Sequence, residues 1–583
     1  MTDMRRTLLW VVFMMSLFML WDAWQRHTGH PSMLGGPVAK PAAVAGSTPA
    51  AVPSGALTSQ PGAAVPGAPA AVPTTALATP ALPASALATG ELVEISTDVV
   101  KASIDTIGGS IVRLELLKHQ EHINQAWYQP ALDAFSPGER KPAAKNVVLF
   151  DHTAQRQYAA QTGLVSAEAG VALPNHLTLL NLVPGERTLA AGAQALTVRL
   201  ESAEVDGRKL VKTYTFSRGD YTIGVRHELV NQGTAAISPQ LYLQLARDGN
   251  APEGESSFYF TFTGPAVYTD ANKFKKIDFK DIAKGSASHD TGADNGWVAM
   301  VQHYFASAWL VPAAGPRQFS TAKQGESYFV RMVLPLGSVA PGGTKVQDSI
   351  LFAGPQEENK LEALAPGLEL VKDYGWLTVL SKPLFWLLTQ MHNAIGNWGW
   401  AIVALVVLLK IAFYWLNASA YRSMGKMKAV APKVAELKER YKDKPQEMQQ
   451  QMMRIYKEEK VNPLGGCLPI FVQMPFFIAL YWVLLSSVEM RNAPWVGWIR
   501  DLSAPDPFFI LPVLMTLSSL FQVWLNPAPP DPVQAKMMWM MPLAVGLMFF
   551  AFPAGLVLYW LTNNLLSIAQ QWFINKQLGV LGK

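Results

Sequence analysis

The sequence predicts a multi-domain membrane protein: an antiparallel β-sandwich followed by an α-helical bundle of five core transmembrane helices, with an N-terminal signal-anchor helix and a cytoplasmic helical hairpin. Three observations predict it. The 583 residues are 50% hydrophobic and 16% charged, with a mean hydropathy of +0.14, too apolar for an ordinary soluble chain of this length. From residue 397 onward, apolar stretches of membrane-crossing length recur. Before them, over residues 91–356, apolar and polar residues alternate with period two between glycine-bearing turns. The net charge of +5 decides nothing by itself. The single cysteine, Cys467, excludes an intramolecular disulfide and a cysteine-based zinc cluster, and reads as a small packed residue.

Arg5 and Arg6 precede the apolar run Leu8–Leu20, which Trp21 and Trp24 close. That pattern fits a cleaved signal peptide or an uncleaved anchor over residues 1–25; no small-x-small site follows, which favours the anchor. Either reading puts the next residues outside the cytoplasm. Residues 26–90 are mostly Ala, Pro, Gly, Ser, Thr and Val, a proline-spaced linker that cannot bury a core.

The β domain, 91–356, shows its alternation at Leu196-Val198-Leu200, Tyr221-Ile223-Val225, Leu241-Leu243-Leu245 and Phe258-Phe260-Phe262. Ile107-Gly108-Gly109, Arg218-Gly219-Asp220 and Asn231-Gln232-Gly233 supply turns. Many short strands with such punctuation predict a sandwich. His227 and His303 are lone histidines in strand-like sequence, more often structural than catalytic. No HExxH, GxSxG or glycine-rich phosphate loop is present, so no catalytic constellation, cofactor or metal is expected.

Residues 357–396 place Leu377, Leu380, Leu384, Leu387, Leu388 and Met391 at helical spacing, an amphipathic helix for the outer membrane surface that Pro383 would kink or restart. The core, 397–583, opens with Asn397–Leu416, which is apolar except for Lys410. A lysine at the centre of a membrane helix costs about 2.5–3.5 kcal/mol on insertion scales. It reads either as a functional charge or as a snorkelling side chain near the helix end. Residues 418–463 then carry eleven Lys or Arg against six Asp or Glu, which places them in the cytoplasm. Within them Met427, Val430, Val434, Leu437 and Tyr441 form one apolar seam, and Met448, Met452 and Ile455 a second, so the segment reads as a helical hairpin. Its charged faces are simply solvated, or else meet ribosomal RNA or lipid head groups. Further spans are expected at about 464–487, 508–525, 537–552 and 556–574, for six in all with both termini in the cytoplasm.

Polar residues concentrate in the cytoplasmic halves of these spans. Lys410, Gln473, Gln522, Asn563 and Asn564 share comparable depth, with Ser567 and Gln570 below. Unsatisfied polar groups are expensive in hydrocarbon, so they face one another or water. They tie helices together singly, or they line a hydrated groove open to the cytoplasm and closed toward the outside. The fifth span is rich in methionine, including Met541 and Met548, as an apolar path for varied partners or as lipid-facing filler.

Several strings resemble the YidC family of bacterial membrane protein insertases in its Gram-negative form. They are Asp373-Tyr374-Gly375-Trp376, Ile395-Gly396-Asn397-Trp398-Gly399, the run Val461–Cys467, Gln473-Met474-Pro475, Asp501-Leu502-Ser503 and the run Phe552–Trp560. The resemblance implies a bacterial inner-membrane protein with a supersandwich-like periplasmic domain. It implies a non-covalent insertase and chaperone whose five-helix core forms the groove and whose hairpin helps receive substrates. Implied partners are nascent membrane proteins, the ribosome, SecYEG, SecDF and membrane lipids; no DNA is expected. The groove would take Lys410, Val406, Gln473, Gln522, Tyr559, Trp560, Asn563, Asn564 and Gln570, and the apolar path Met474, Phe477, Met541 and Met548. Lys410, Val406 and Trp560 stand where the family usually has arginine, threonine and tyrosine.

Rival readings are a small-solute or lipid transporter, which calls for paired half-repeats, and an intramembrane enzyme. The latter needs a base beside Ser486, Ser487, Ser518 or Ser519, and no core span carries His, Asp or Glu. A separate partner-binding role for the β domain is compatible with insertion.

Overall fold

A computed structural model describes residues 90–121, 145–153, 156–166, 168, 170–252, 261–441, 444–459, 468–526 and 532–577. The expected anchor, the linker as far as residue 89, Phe258, Phe260 and the run Val461–Cys467 lie outside the described residues.

The alternating runs form strands. Ala195–Ser202 turns Leu196, Val198 and Leu200 inward, and Thr222–Asn231 does the same with Ile223 and Val225. Both lie in a nine-stranded antiparallel sheet ordered Lys273–Lys276, Gly264–Thr269, Trp297–Val301, Phe305–Leu310, Thr344–Pro355, Thr222–Asn231, Arg208–Ser217, Ala195–Ser202, Leu180–Leu182. A second nine-stranded sheet runs Leu92–Ser96, Val100–Asp105, Ser110–Gln120, Asn146–His152, Gln157–Ser166, Pro239–Asp248, Ser327–Pro335, Arg317–Gln324, Gly292–Ala293. The sheets share one apolar core, with Leu241, Leu243 and Leu245 from one and Val298, Met300 and Trp309 from the other. Each such leucine stabilises the fold by about 1.5–3 kcal/mol on burial.

Polar pins also cross the sandwich. Trp309 Nε1 donates to Gln244 O at 3.0 Å. Lys212 Nζ donates to Gly108 O at 2.6 Å and to Thr162 O and Oγ1 at 2.8 and 2.7 Å. His227 Nε2 meets the same Thr162 hydroxyl at 2.9 Å, so this histidine has a structural place. The turn at Gly108 needs a residue without a side chain: φ is +72°, and a Cβ would fall 2.2 Å from His176 O.

Two readings change. Pro239–Asp248 alternates in sequence, but Tyr242 and Gln244 on its other face are buried too, because His176 and Arg331 cover Tyr242 and Gln161 and Arg331 bond Gln244. Phe262 precedes the strand Gly264–Thr269 rather than lying in it, although its ring is buried.

The helices are α1 (Phe279–Lys284), α2 (Glu358–Leu364), α3 (Thr378–Ile395), α4 (Trp398–Ala412), α5 (Tyr414–Arg440), α6 (Pro445–Glu458), α7 (Leu468–Ser486), α8 (Ile510–Leu525), α9 (Pro532–Phe549) and α10 (Ala554–Gln577). α3 passes through Pro383 without restarting and buries Leu384, Phe385 and Leu388. Asn397 caps α4, its Oδ1 accepting from Trp400 N at 3.1 Å. The expected span 397–416 is not one helix. Phe413, at φ −93° and ψ 9°, separates α4 from α5, and the two axes differ by 68°. Bridge-region dihedrals break the α-helical path there, and the Phe413 ring packs edge-on against Phe476. Among the described residues no single helix is both long and apolar enough to cross a membrane; α4 and the first part of α5, to Met427, are so together.

α3, α4, α7, α8 and α10 share a second apolar core around Leu388, Leu405, Val483, Met515 and Val557. The described residues from Gly90 onward form one compact unit, and the β-sandwich is bolted to this core. Lys372 Nζ lies 3.3 Å from Glu489 and its side chain is fully buried. Lys276 pairs with Asp373 at 2.5 Å, and His303 Nε2 meets Leu485 O at 2.9 Å. At the same end, Asp506 Oδ2 accepts from Leu511 N at 2.7 Å, while Oδ1 accepts from Phe508 N at 3.0 Å and Trp498 Nε1 at 2.9 Å. Ala554 N and Gly555 N donate to Ala504 O and Leu502 O, fastening this loop to the start of α10.

Candidate functional site

A cavity of about 560 Å³ opens between α4, α7, α8, α9 and α10. Each wall comes from a helix whose opposite side is in the apolar core or turned outward. α4 contributes Val406, Leu409 and Lys410; α7 contributes Gln473, Met474, Phe476 and Phe477; α8 contributes Ser519, Gln522 and Val523. Met541, Pro542 and Val545 come from α9, and Tyr559, Trp560, Asn563 and Asn564 from α10.

The lining is graded along α10. Tyr559 and Trp560 belong to an aromatic cluster: Phe477 lies 5.6 Å from Tyr559 and 4.6 Å from Trp560, and Phe549 5.0 Å from Trp560. A turn further on the residues become polar. Asn564 Nδ2 donates to Ser518 Oγ at 3.2 Å and Ser519 Oγ at 2.8 Å, tying α10 to α8. Those serines serve as acceptors for an amide, with no base beside them among the described residues. Lys410 Nζ donates to Ser567 Oγ at 2.7 Å. Among the described residues no charged neighbour acts on Lys410. Among the described residues no carboxylate pairs with it, and it faces a mostly apolar cavity, where an anion would be attracted.

The cavity gathers eight of the nine residues expected in the groove: Lys410, Val406, Gln473, Gln522, Tyr559, Trp560, Asn563 and Asn564. Gln570 is elsewhere, its Nε2 donating to Tyr414 O at 3.2 Å. Of the expected apolar path, Met474, Phe477 and Met541 line the cavity, whereas Met548 points outward. Sequence reasoning missed two amide pairs. Gln473 Nε2 donates to Asn417 Oδ1 at 3.0 Å, and Gln571 Nε2 to Asn526 Oδ1 at 2.9 Å. The signal was there: Asn417 and Asn526 sit just past expected span ends, and Gln571 is the neighbour of Gln570.

α6 packs on α5 through a small cluster of Val430, Val434 and Tyr456, with Met427, Met452 and Ile455 against it. Leu437, Tyr441 and Met448 are half-buried outside that cluster. Tyr456 was not expected there. Among the described residues no group of three His, Cys, Asp or Glu side chains is placed to hold a metal.

The family model described as the YidC periplasmic domain matches residues 92–387, and that of the 60Kd inner membrane protein matches 390–579. A membrane protein insertase YidC of Cupriavidus necator is 55% identical over 579 residues, covering 99% of this chain and 98% of its own. The chain belongs to the YidC family. A second YidC relative, from Janthinobacterium sp., is 51% identical over 599 residues, covering 99% of this chain and all of its own. A crystal structure of an active YidC insertase with its first transmembrane domain resolved aligns with 83% of this chain and 94% of its own, at 16% identity and a TM-score of 0.37. The YidC relatives are named for insertion, a non-enzymatic activity, and the YidC periplasmic model falls on the β-sandwich here.

Proposed function

We propose that this protein inserts and helps fold inner-membrane proteins by letting a polar flank enter the cavity while the hydrophobic segment leaves sideways into lipid. The observation that carries this is the joining of Lys410, which has no carboxylate partner among the described residues, to amide side chains and an apolar exit wall in a single cavity. A hydrophobic segment gains by entering lipid; the barrier is its polar flank. A wet recess open to the cytoplasm shortens the dry path that flank must cross. Lys410 attracts an acidic flank with about 4 kcal/mol at 4 Å and an effective dielectric near 20, before desolvation is subtracted. The apolar segment departs along Met474, Phe477 and Met541; Met548, which faces outward, is not on this path.

In this reading both termini and the α5–α6 hairpin are cytoplasmic, six spans cross the membrane, and the β-sandwich is periplasmic. The hairpin receives chains from the ribosome, and the protein works alone or beside SecYEG and SecDF. A transporter reading calls for a pair of broken helices. Among the described residues one bent helix pair is apolar and long enough together to span a membrane, the pair broken at Phe413, and a single break favours insertion. The test is site-specific photocrosslinking from positions 406, 473 and 560 to a ribosome-held nascent membrane protein. Crosslinks from these positions, absent from the outward-facing Met548, are expected; equal yields from both sets would remove the cavity from the path.

A further inference from the structure

The Lys410 side chain enters the cavity from α4, but the atom that receives it belongs to α10. Ser567 is not among the cavity walls and is only 3% exposed. Its hydroxyl proton is already committed, because Oγ donates to Asn563 O at 2.7 Å, one helical turn back. A hydroxyl offers one proton and two lone pairs, and an ammonium offers donors alone. With its proton held by its own helix, Ser567 faces Lys410 Nζ as an acceptor at 2.7 Å.

The alternative for Lys410 is close at hand. α4 ends at Ala412, so an unanchored lysine stem can snorkel toward the helix end and carry its charge out of the cavity. An acceptor on a different helix opposes that motion. The bond from Asn564 to Ser518 and Ser519 fixes α10 against α8, so the acceptor does not move with the lysine.

We infer that Ser567 is a positioning residue that holds the Lys410 ammonium inside the cavity and thereby sets the preference for substrates with acidic flanks. This rests on the reading that the Lys410 charge draws such flanks.

The experiment uses the full-length protein in proteoliposomes and two substrates that differ only in an acidic or amide-neutralised flank. The ratio of their insertion rates is measured for the unmodified protein, Lys410→Ala, Ser567→Ala, Ser567→Thr and the double variant Lys410→Ala/Ser567→Ala. Ser567→Ala is expected to lower the acidic-to-neutral ratio about fivefold, as loss of a hydrogen bond to a charged group allows. Ser567→Thr, which keeps the hydroxyl, should hold the ratio within about twofold, and Ser567→Ala should add nothing once Lys410 is alanine. A structural role alone would slow both substrates equally and persist in the Lys410→Ala background, and that result overturns the inference.

A second readout separates this inference from the charge reading beneath it. Labelling of Lys410 by a water-soluble amine reagent, read by mass spectrometry, should rise several-fold in Ser567→Ala and stay low in Ser567→Thr. If Lys410→Ala leaves the ratio unchanged, the charge reading fails while the labelling still judges the anchor. If labelling is the same in all three proteins, the anchor is wrong whatever the ratio.

Discussion

Asn417 Oδ1 accepts a hydrogen bond from Gln473 Nε2 at 3.0 Å, which ties the first turn of the bent helix α5 to α7 beside the cavity. Asn417 is buried and Gln473 partly so. Replacing Asn417 with leucine removes the acceptor and leaves the Gln473 amide to desolvate alone, a cost of about 1–3 kcal/mol. Gln473→Leu should cost a similar amount. The double variant should cost less than the sum, because neither amide is then stranded. Denaturation midpoints of the four purified proteins check this; strict additivity would mean the pair contributes nothing.

Asp506 organises the loop that closes the bundle beside the β-sandwich. Its carboxylate accepts from two backbone N–H groups and an indole. Asp506→Ala leaves these donors without their acceptor, and a loss of about 2–4 kcal/mol is expected from several bonds to a charged group. Asp506→Asn keeps the shape and should retain part of that stability. Thermal unfolding followed by tryptophan emission would report both, since Trp498 is one of the partners.

The Lys372–Glu489 pair joins the sandwich-side segment to the loop after α7. Lys372 also sits over the Phe385 ring at 3.7 Å, so its charge is held by both partners. Lys372→Met strands a carboxylate that is four-fifths buried, and about 3 kcal/mol of destabilisation follows from breaking such a pair. Lys372→Met/Glu489→Leu should recover much of it. Amide exchange over 368–373 is the measurement, with faster exchange expected in the single variant alone.

Acid should loosen the β-sandwich. Burial, then the Lys212 charge, pulls His227 down to about 3, and the same two causes pull His176 to about 4. Burial, then Arg491, pulls His119 to about 4. Unfolded, each binds a proton near its ordinary 6.5, so between pH 6.5 and 4 the unfolded state holds more protons and stability falls as pH falls. The slope is about 1.4 kcal/mol per pH unit for a fully buried histidine. Lys212, lowered by burial to about 7, gives the same sign at higher pH: stability rises from pH 7 toward 10 as the unfolded chain alone keeps its proton. Exchange protection of the strand Thr222–Asn231, corrected for intrinsic rates, should drop between pH 6.5 and 4.5, less steeply in His227→Gln. Flat protection would contradict the burial of these rings in neutral form.

Much of this was legible before the fold was known, and the misses have physical reasons. Leu196, Val198 and Leu200 alternate because one face of their strand is wetter than the other; Pro239–Asp248 hides its second buried face because Tyr242 and Gln244 are polar-tipped residues covered by neighbours. The polar part of the cavity lining could be read because Lys410, Gln473, Asn563 and Asn564 stand out against apolar helices. The bend at Phe413 could not, since phenylalanine matches its surroundings and it is the backbone that departs. Gln570 and Gln571 are adjacent but about 100° apart around the helix. Composition cannot say which one turns inward, and it is Gln571 that bonds Asn526.

Water reaching Lys410 from the ribosome's side, and stopping there, is the claim on which the rest depends. Single cysteines at 406 and 563, in a Cys467→Ser background, can be probed in oriented vesicles with a membrane-impermeant thiol reagent. Labelling from the cytoplasmic face, together with protection at 556 nearer the start of α10, is the predicted result. No labelling at 406 and 563, or labelling only from the periplasmic face, would contradict it.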